Sequence, residues 1–190
     1  MMESVRGKKS GGKLAKFAVL ASVAAALIIA GFASRIAPLY GAADSQPVAG
    51  IPCERQEYST FHIHVHLDIF VDGKPYPVPE SVGIVGRSCL YWIHTHDSSG
   101  IIHVEAPQQR YFTLDQFFAI WKATADTAPA VKQKPKVFVN VKPVNGGLEK
   151  VEMTDLAEIA VVYGKEPPKI PQTFEWPETY RKEYFPKKPS

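Results

Sequence analysis

The chain has 190 residues, with 22 Lys/Arg, 19 Asp/Glu and six histidines, for a formal charge of +3. That length allows one domain of ordinary size plus a topogenic segment. The positive balance is local: six basic residues precede position 53, and beyond it 16 Lys/Arg face 17 Asp/Glu. The later lysines are dispersed and no basic stripe is interleaved with aromatics, so the footprint of a nucleic-acid-binding protein is absent.

In chain order, Arg6, Lys8, Lys9, Lys13 and Lys16 precede an uncharged, mostly apolar run from Phe17 to Ala33, which Arg35 closes. A helix rises about 1.5 Å per residue, so this run sits at the short end of what crosses a hydrocarbon core of about 30 Å. The basic flank places residues 1–16 in the cytoplasm, residues 17–33 in the membrane as a single-pass anchor, and the remainder outside. The rival reading is a signal peptide cleaved near Gly41-Ala42-Ala43, giving a secreted domain. The run exceeds the ~7–15 apolar residues usual for a signal peptide, which favours the anchor. Residues 34–52, small, polar and Pro/Gly-containing, read as a linker. A domain is expected over 53–165, followed by a Pro-rich tail, 166–190, extended along the surface.

Within the domain, FHIHVHLDIFV (Phe61 to Val71) alternates strictly, which is the period of a strand. Asp72-Gly73 predicts a hairpin with a short return over Tyr76 to Val78, limited by Pro75, Pro77 and Pro79. A strand from about Leu90 to His96, a turn at Asp97-Ser98-Ser99-Gly100 and a strand from Ile101 to Ala106 follow. Thr113-Leu-Asp-Gln116 has the form of a capping box, and Leu114, Phe117, Phe118 and Trp121 fall on one helical stripe. Val137, Val139 and Val141 alternate on the next strand, Asn145-Gly146-Gly147 turns the chain, and Ile159 to Tyr163 forms the last strand. The expected class is α+β: a mainly antiparallel sheet with one amphipathic helix on one face, preceded by the N-terminal transmembrane helix.

All six histidines fall between positions 62 and 103. On a strand, residues of equal parity share a face. His62, His64, His66 and Asp68 therefore share one face, and Phe61, Ile63, Val65, Leu67, Ile69 and Val71 share the other. The unbroken apolar row faces the core and the helix, so the histidines face away from it. If Asp97 to Gly100 is a four-residue turn, His96 pairs with Ile101, His94 with His103, and Trp92 with Glu105. Opposed side chains have Cβ atoms about 4.5–5.5 Å apart, so His94, His96, His103 and Glu105 form one patch. Three imidazoles so placed suit a transition metal with a fourth position open.

Reach limits the first strand. At about 3.3 Å per residue, His62 and His66 stand roughly 13 Å apart, too far to share an ion held at about 2.0 Å. The expectation is therefore a single site on His94, His96 and His103, with His64 as the best fourth ligand; two sites are the alternative. Asp68 and Glu105 are expected to orient an imidazole through its other nitrogen. Glu105 as a direct ligand would instead resemble a two-histidine, one-carboxylate iron site. Asp97 is read as a turn former, and Tyr91 and Trp92 as packing. Cys53 and Cys89, an even pair in an exported domain, are expected to form a disulfide, with thiolate metal ligation as the alternative.

Imidazole suits zinc, copper, nickel and iron, and export favours copper or zinc, with iron possible. The segments HIHVHLDIFVDG, CLYWIHTHDSSGIIHVEAP and FTLDQFFAIW, in that order, resemble a family of exported or membrane-anchored bacterial and archaeal proteins. Its members share an HxHxH strand, a Cys-containing HTHDxSGxIHxE segment and a TLxQFFxxW helix. The resemblance covers residues 53–165; it implies the domain bounds and the grouping of the histidines, and no reaction. The cupin metal motif also has HxH with a later Glu and His, but the acidic and glycine spacings here do not fit it.

Three functions remain open from the sequence. The first is a membrane-anchored extracytoplasmic metal-binding protein. The second is an enzyme activating water or dioxygen at a three-histidine metal. The third is a metal-free surface domain whose histidines form a polar or pH-responsive network.

Overall fold

The alternation of FHIHVHLDIFV is realised as an eleven-residue strand, β2 (Phe61–Val71), at the middle of a seven-stranded sheet. The computed structural model describes residues 46–178 and 180. The predicted cytoplasmic segment and the anchor at 17–33 lie outside the described residues. Within these, no helix is long and apolar enough to cross a membrane. In chain order the elements are β1 (Cys53–Glu54), β2, β3 (Lys74–Tyr76), β4 (Ile84–Val85), β5 (Cys89–Tyr91), β6 (Ile93–His94) and β7 (Ile101–Ala106). They continue with α1 (Leu114–Thr124), β8 (Lys136–Val139), β9 (Lys142–Val144) and β10 (Ala157–Tyr163).

The main sheet runs β6-β7-β2-β10-β8-β9, with β3 beside β2, and β1-β5-β4 form a small second sheet. β2 pairs antiparallel with β7, from Phe61↔Ala106 to His66↔Ile101, and parallel with β10, from Ala157↔Val65 to Tyr163↔Val71. The other pairs are antiparallel, so the sheet is mixed at its centre. A parallel neighbour needs a long crossover, which the chain between β2 and β10, α1 included, supplies.

The apolar parity of β2 packs as the pattern requires. Val65, Leu67 and Ile69 join Ile102 and Val104 of β7, Ile159 and Val161 of β10, and Phe117, Ile120 and Trp121 of α1 in one buried cluster. Each such side chain contributes about 1.5–3 kcal/mol on burial. α1 starts where the capping box predicts, with the Thr113 N–H donating to Gln116 Oε1 at 3.0 Å. Phe118 is only partly buried, and Ile120 fills the stripe.

Three local expectations are corrected. The strand expected over Leu90 to His96 is divided between β5 and β6. Tyr91 N–H donates to Gly83 O at 2.8 Å and Thr95 N–H to Val82 O at 3.0 Å, so this segment leans on residues 82–83 instead of continuing along β7. Only glycine permits that approach: a Cβ on Gly83, at φ +79°, would stand 2.6 Å from Ile93 O. The return strand β3 begins at Lys74, directly after Asp72 (φ 50°) and Gly73 (φ 81°), because a two-residue loop starts pairing at once. Val141 does not continue β8. It occupies the second position of a two-residue turn with Asn140 (φ 48° and 60°), 44% exposed, an unusual conformation for a β-branched residue.

Cys53 and Cys89 form a disulfide that joins β1 to β5, with Cα atoms 5.4 Å apart, and no free cysteine remains. The thiolate-ligand alternative is thereby removed. Chain on either side of the expected domain also packs onto it. Ile51 is fully buried, and the Tyr91 hydroxyl donates to Gln46 O at 2.9 Å. Beyond Gly164, Ile170 packs against Phe70, Ala160 and Val162 on the sheet face opposite α1, and Phe174 N–H donates to Glu158 Oε1 at 2.8 Å. The described tail thus covers the face that carries the histidines.

Candidate metal centre

Three adjacent strands align the imidazoles. His64 of β2 lies opposite His103 of β7, which lies opposite His94 of β6, while Glu105 lies opposite His62. His96 follows from the loop after β6. His64, His94, His103 and Glu105 are buried, and the His96 side chain is 42% exposed.

The nitrogens converge. His94 Nδ1 lies 2.9 Å from Tyr91 O; a carbonyl can only accept, so Nδ1 carries the proton and Nε2 keeps its lone pair. That lone pair faces His96 Nε2 at 3.2 Å. The edge of a tetrahedron whose centre lies 2.0–2.1 Å from each corner is about 3.3 Å, so two imidazoles already hold the spacing that one ion demands. The ligand atoms of His94, His96, His103 and Glu105 all lie within 4.8 Å of one another, and so do those of His62, His64 and His103. Both groups can hold a metal ion.

Charge in the cluster is one-sided. Glu105 Oε1 stands 3.1 Å from His62 Nε2, 3.5 Å from His103 Nδ1 and 4.0 Å from His94 Nε2. Burial pushes the Glu105 carboxyl up, but hydrogen bonds from His103 and His62 and the field of His94 outweigh it, so the group is held below the ordinary carboxylate range. Burial pushes His94 down to about 4, against the Tyr91 carbonyl. Burial, reinforced by His103 and His62, pushes His64 down to about 3. Both are neutral at neutral pH. Among the described residues the ion-pair partners of Glu105 are all histidines. Hydrogen bonds from His103 and His62 favour the ionised form of Glu105, and a divalent ion among these imidazoles would add the opposite charge that neutral His94 and His64 do not supply.

His66 and Asp68 stand apart from both groups. His66 Nε2 donates to Ser99 O at 3.2 Å, its Nδ1 lies 3.8 Å from Asp68 Oδ2 and 3.7 Å from Glu158 Oε2, and its ring stacks on Phe174 at 3.7 Å. Burial lowers its affinity for a proton and raises that of Asp68. Gly100, at φ +86°, closes the turn beside it, where a Cβ would meet Leu67 O at 2.8 Å. Asp97 accepts from Ser99 N–H at 2.8 Å, the geometry of a turn former.

Sequence reasoning missed several neighbours. Glu57 Oε1 lies 3.4 Å from His96 Nε2, carried there by a loop without periodicity. Tyr180 Oη lies 3.2 Å from His103 Nε2, and its ring is 4.6 Å from that of His64. The aromatic content of the tail was the available signal for Phe174, Trp176 and Tyr180. In comparisons with known proteins, no family model matches the chain, and neither a curated protein nor a solved structure does.

Proposed function

We propose that this protein is a membrane-anchored, extracytoplasmic metal-binding protein that holds copper or zinc on His94, His96 and His103 with a carboxylate oxygen of Glu105. The observation that carries this reading is the convergence of those four ligand atoms within 4.8 Å, most of them on buried residues, with Glu105 paired among the described residues to histidines. The disulfide supports an oxidising compartment. It also leaves imidazole and carboxylate as the available donors, which suits zinc, an all-histidine copper site or, through Glu105, iron.

We prefer binding to catalysis because a ligand set is what the described residues supply. A cavity of about 440 Å³ is lined by Phe61, Ile63, Arg110, Tyr111, Met153 and Asp155 among others, and by no histidine. The histidine face itself lies under the tail. His96 and Glu57, at 42% and 52% side-chain exposure, form the open edge through which an ion exchanges.

The test is elemental analysis of the purified full-length chain before and after incubation with each metal, beside a His94→Ala/His103→Ala chain. Stoichiometric metal in the parent and its loss in the variant are expected. A parent chain that neither retains nor takes up copper, zinc, iron or nickel would overturn the proposal.

A further inference from the structure

We propose that the histidine face holds two metal ions, the second on His62 and His64, with His103 common to both. This rests on the metal-binding reading above and goes beyond it by assigning a second site and a shared ligand.

The pairing register produces two groups. His103 sits on the middle one of three strands, with His94 across one ladder and His64 across the other. His94 and His96 fall in one ligand group and His62 and His64 in the other, and His103 belongs to both. The His64 ring is 4.5 Å from that of His62 and 4.6 Å from that of His103, while the His96 ring is 4.5 Å from His103 on the other side. An imidazole has two ring nitrogens, and those of His103 face different neighbours: Nδ1 looks to Glu105 at 3.5 Å and Nε2 to the Tyr180 hydroxyl at 3.2 Å. One ring can therefore serve two ions from its two sides once the second ion displaces the remaining N–H proton to solvent, leaving an imidazolate with a lone pair on each nitrogen.

Oxygen donors are placed to balance a second charge. Glu105 Oε1 is nearest to His62 Nε2, at 3.1 Å, yet only 4.0 Å from His94 Nε2, so the carboxylate stands between the groups. Glu57 adds a second carboxylate at His96. Tyr180, whose ring lies 4.6 Å from that of His64, brings a phenol oxygen to the second group. Three imidazoles with carboxylate or phenol oxygen at each position suit a borderline divalent ion such as Cu²⁺ or Zn²⁺.

The experiment loads the purified full-length chain with Cu²⁺ or Zn²⁺, removes loose metal, and measures metal per chain; the copper form is also examined by electron paramagnetic resonance. Two equivalents are expected, with copper spins coupled through the shared ring. A His62→Ala/His64→Ala chain should keep one equivalent and show an ordinary isolated copper signal. Because His64 is buried, His62→Gln, at a side chain 28% exposed, serves as a second variant, with circular dichroism to verify its fold; it should weaken only the second equivalent. One equivalent in the parent overturns the second site and leaves metal binding standing, whereas none overturns both. Two equivalents unaffected by either variant, or two without coupling, overturn this assignment.

Discussion

The two faces of β2 are made from one eleven-residue segment and held by different physics. On the helix side Val65, Leu67 and Ile69 meet Phe117, Ile120 and Trp121, and contact there is non-directional and additive in area. On the other side His64 and His66 are just as buried, but each imidazole must be satisfied atom by atom. The apolar face needs only volume and hydrophobicity. The polar face needs partners at defined angles, and a metal ion among these imidazoles and Glu105 would be one such partner.

The largest expected effect falls on the apolar face. Trp121→Ala or Phe117→Ala should cost about 3–5 kcal/mol of stability, read as a lowered denaturant midpoint. The folded fraction should keep its metal stoichiometry; loss of metal without loss of fold would break the division between faces. Next comes the disulfide. It spans a sequence separation of 36, for which chain entropy gives about 4 kcal/mol. A Cys53→Ser/Cys89→Ser chain should unfold at correspondingly lower denaturant.

The polar face should announce itself through pH. His94 and His64 protonate near 4 and near 3 when folded and near 6.5 when unfolded. Below pH 6.5 the unfolded chain binds more protons, so metal-free stability, full above 6.5, falls as pH drops and is lost through those folded values. Each such proton contributes a slope of about 1.4 kcal/mol per pH unit. Denaturation series from pH 7 to 4 would show it, and bound metal should keep the protein folded to lower pH. A flat profile in the metal-free chain would remove the argument that these imidazoles are buried and neutral. The smallest effect on folding and the sharpest on binding belongs to Glu105→Gln. Metal-free stability should fall by about 1 kcal/mol, because hydrogen bonds from His62 and His103 to a neutral amide are weaker than those to a carboxylate. Metal affinity should fall roughly 100-fold, measured by competition with a chelator.

How far the sequence reached follows the same division. Parity on β2 and β7 placed His62, His64, His103 and Glu105 on one face because side-chain alternation is a local property. The His94↔His103 pairing was legible from the turn length. The division of the strand at Trp92 was not, because it depends on hydrogen bonds to residues 82–83, which carry no periodicity. Val141 fitted the alternation of β8 and was claimed by a turn instead, since pairing Val139 with Lys142 leaves two residues for the loop. Glu57, Glu158 and the tail reach the histidines only through tertiary packing. Glu105 was read as an orienting group with direct ligation as the alternative, because spacing alone does not separate the two roles; its carboxylate oxygen lies within 4.8 Å of the ligand atoms of His94, His96 and His103.

The bond between Cys53 and Cys89 has a consequence for the unfolded chain. His62, His64 and His66 lie inside the loop it closes, and His94, His96 and His103 lie just beyond it. Along the open chain His64 and His94 are separated by about 30 residues; through the sulfur bridge the path is about 16, which lowers the cost of bringing them together by about 0.6 kcal/mol. The oxidised but unfolded chain therefore presents one histidine group to the other at roughly two- to threefold higher effective concentration. An ion that binds the unfolded chain stabilises the fold less. The metal should accordingly raise the melting temperature somewhat less in the oxidised protein than in its cysteine-free counterpart, although the oxidised protein remains the more stable of the two.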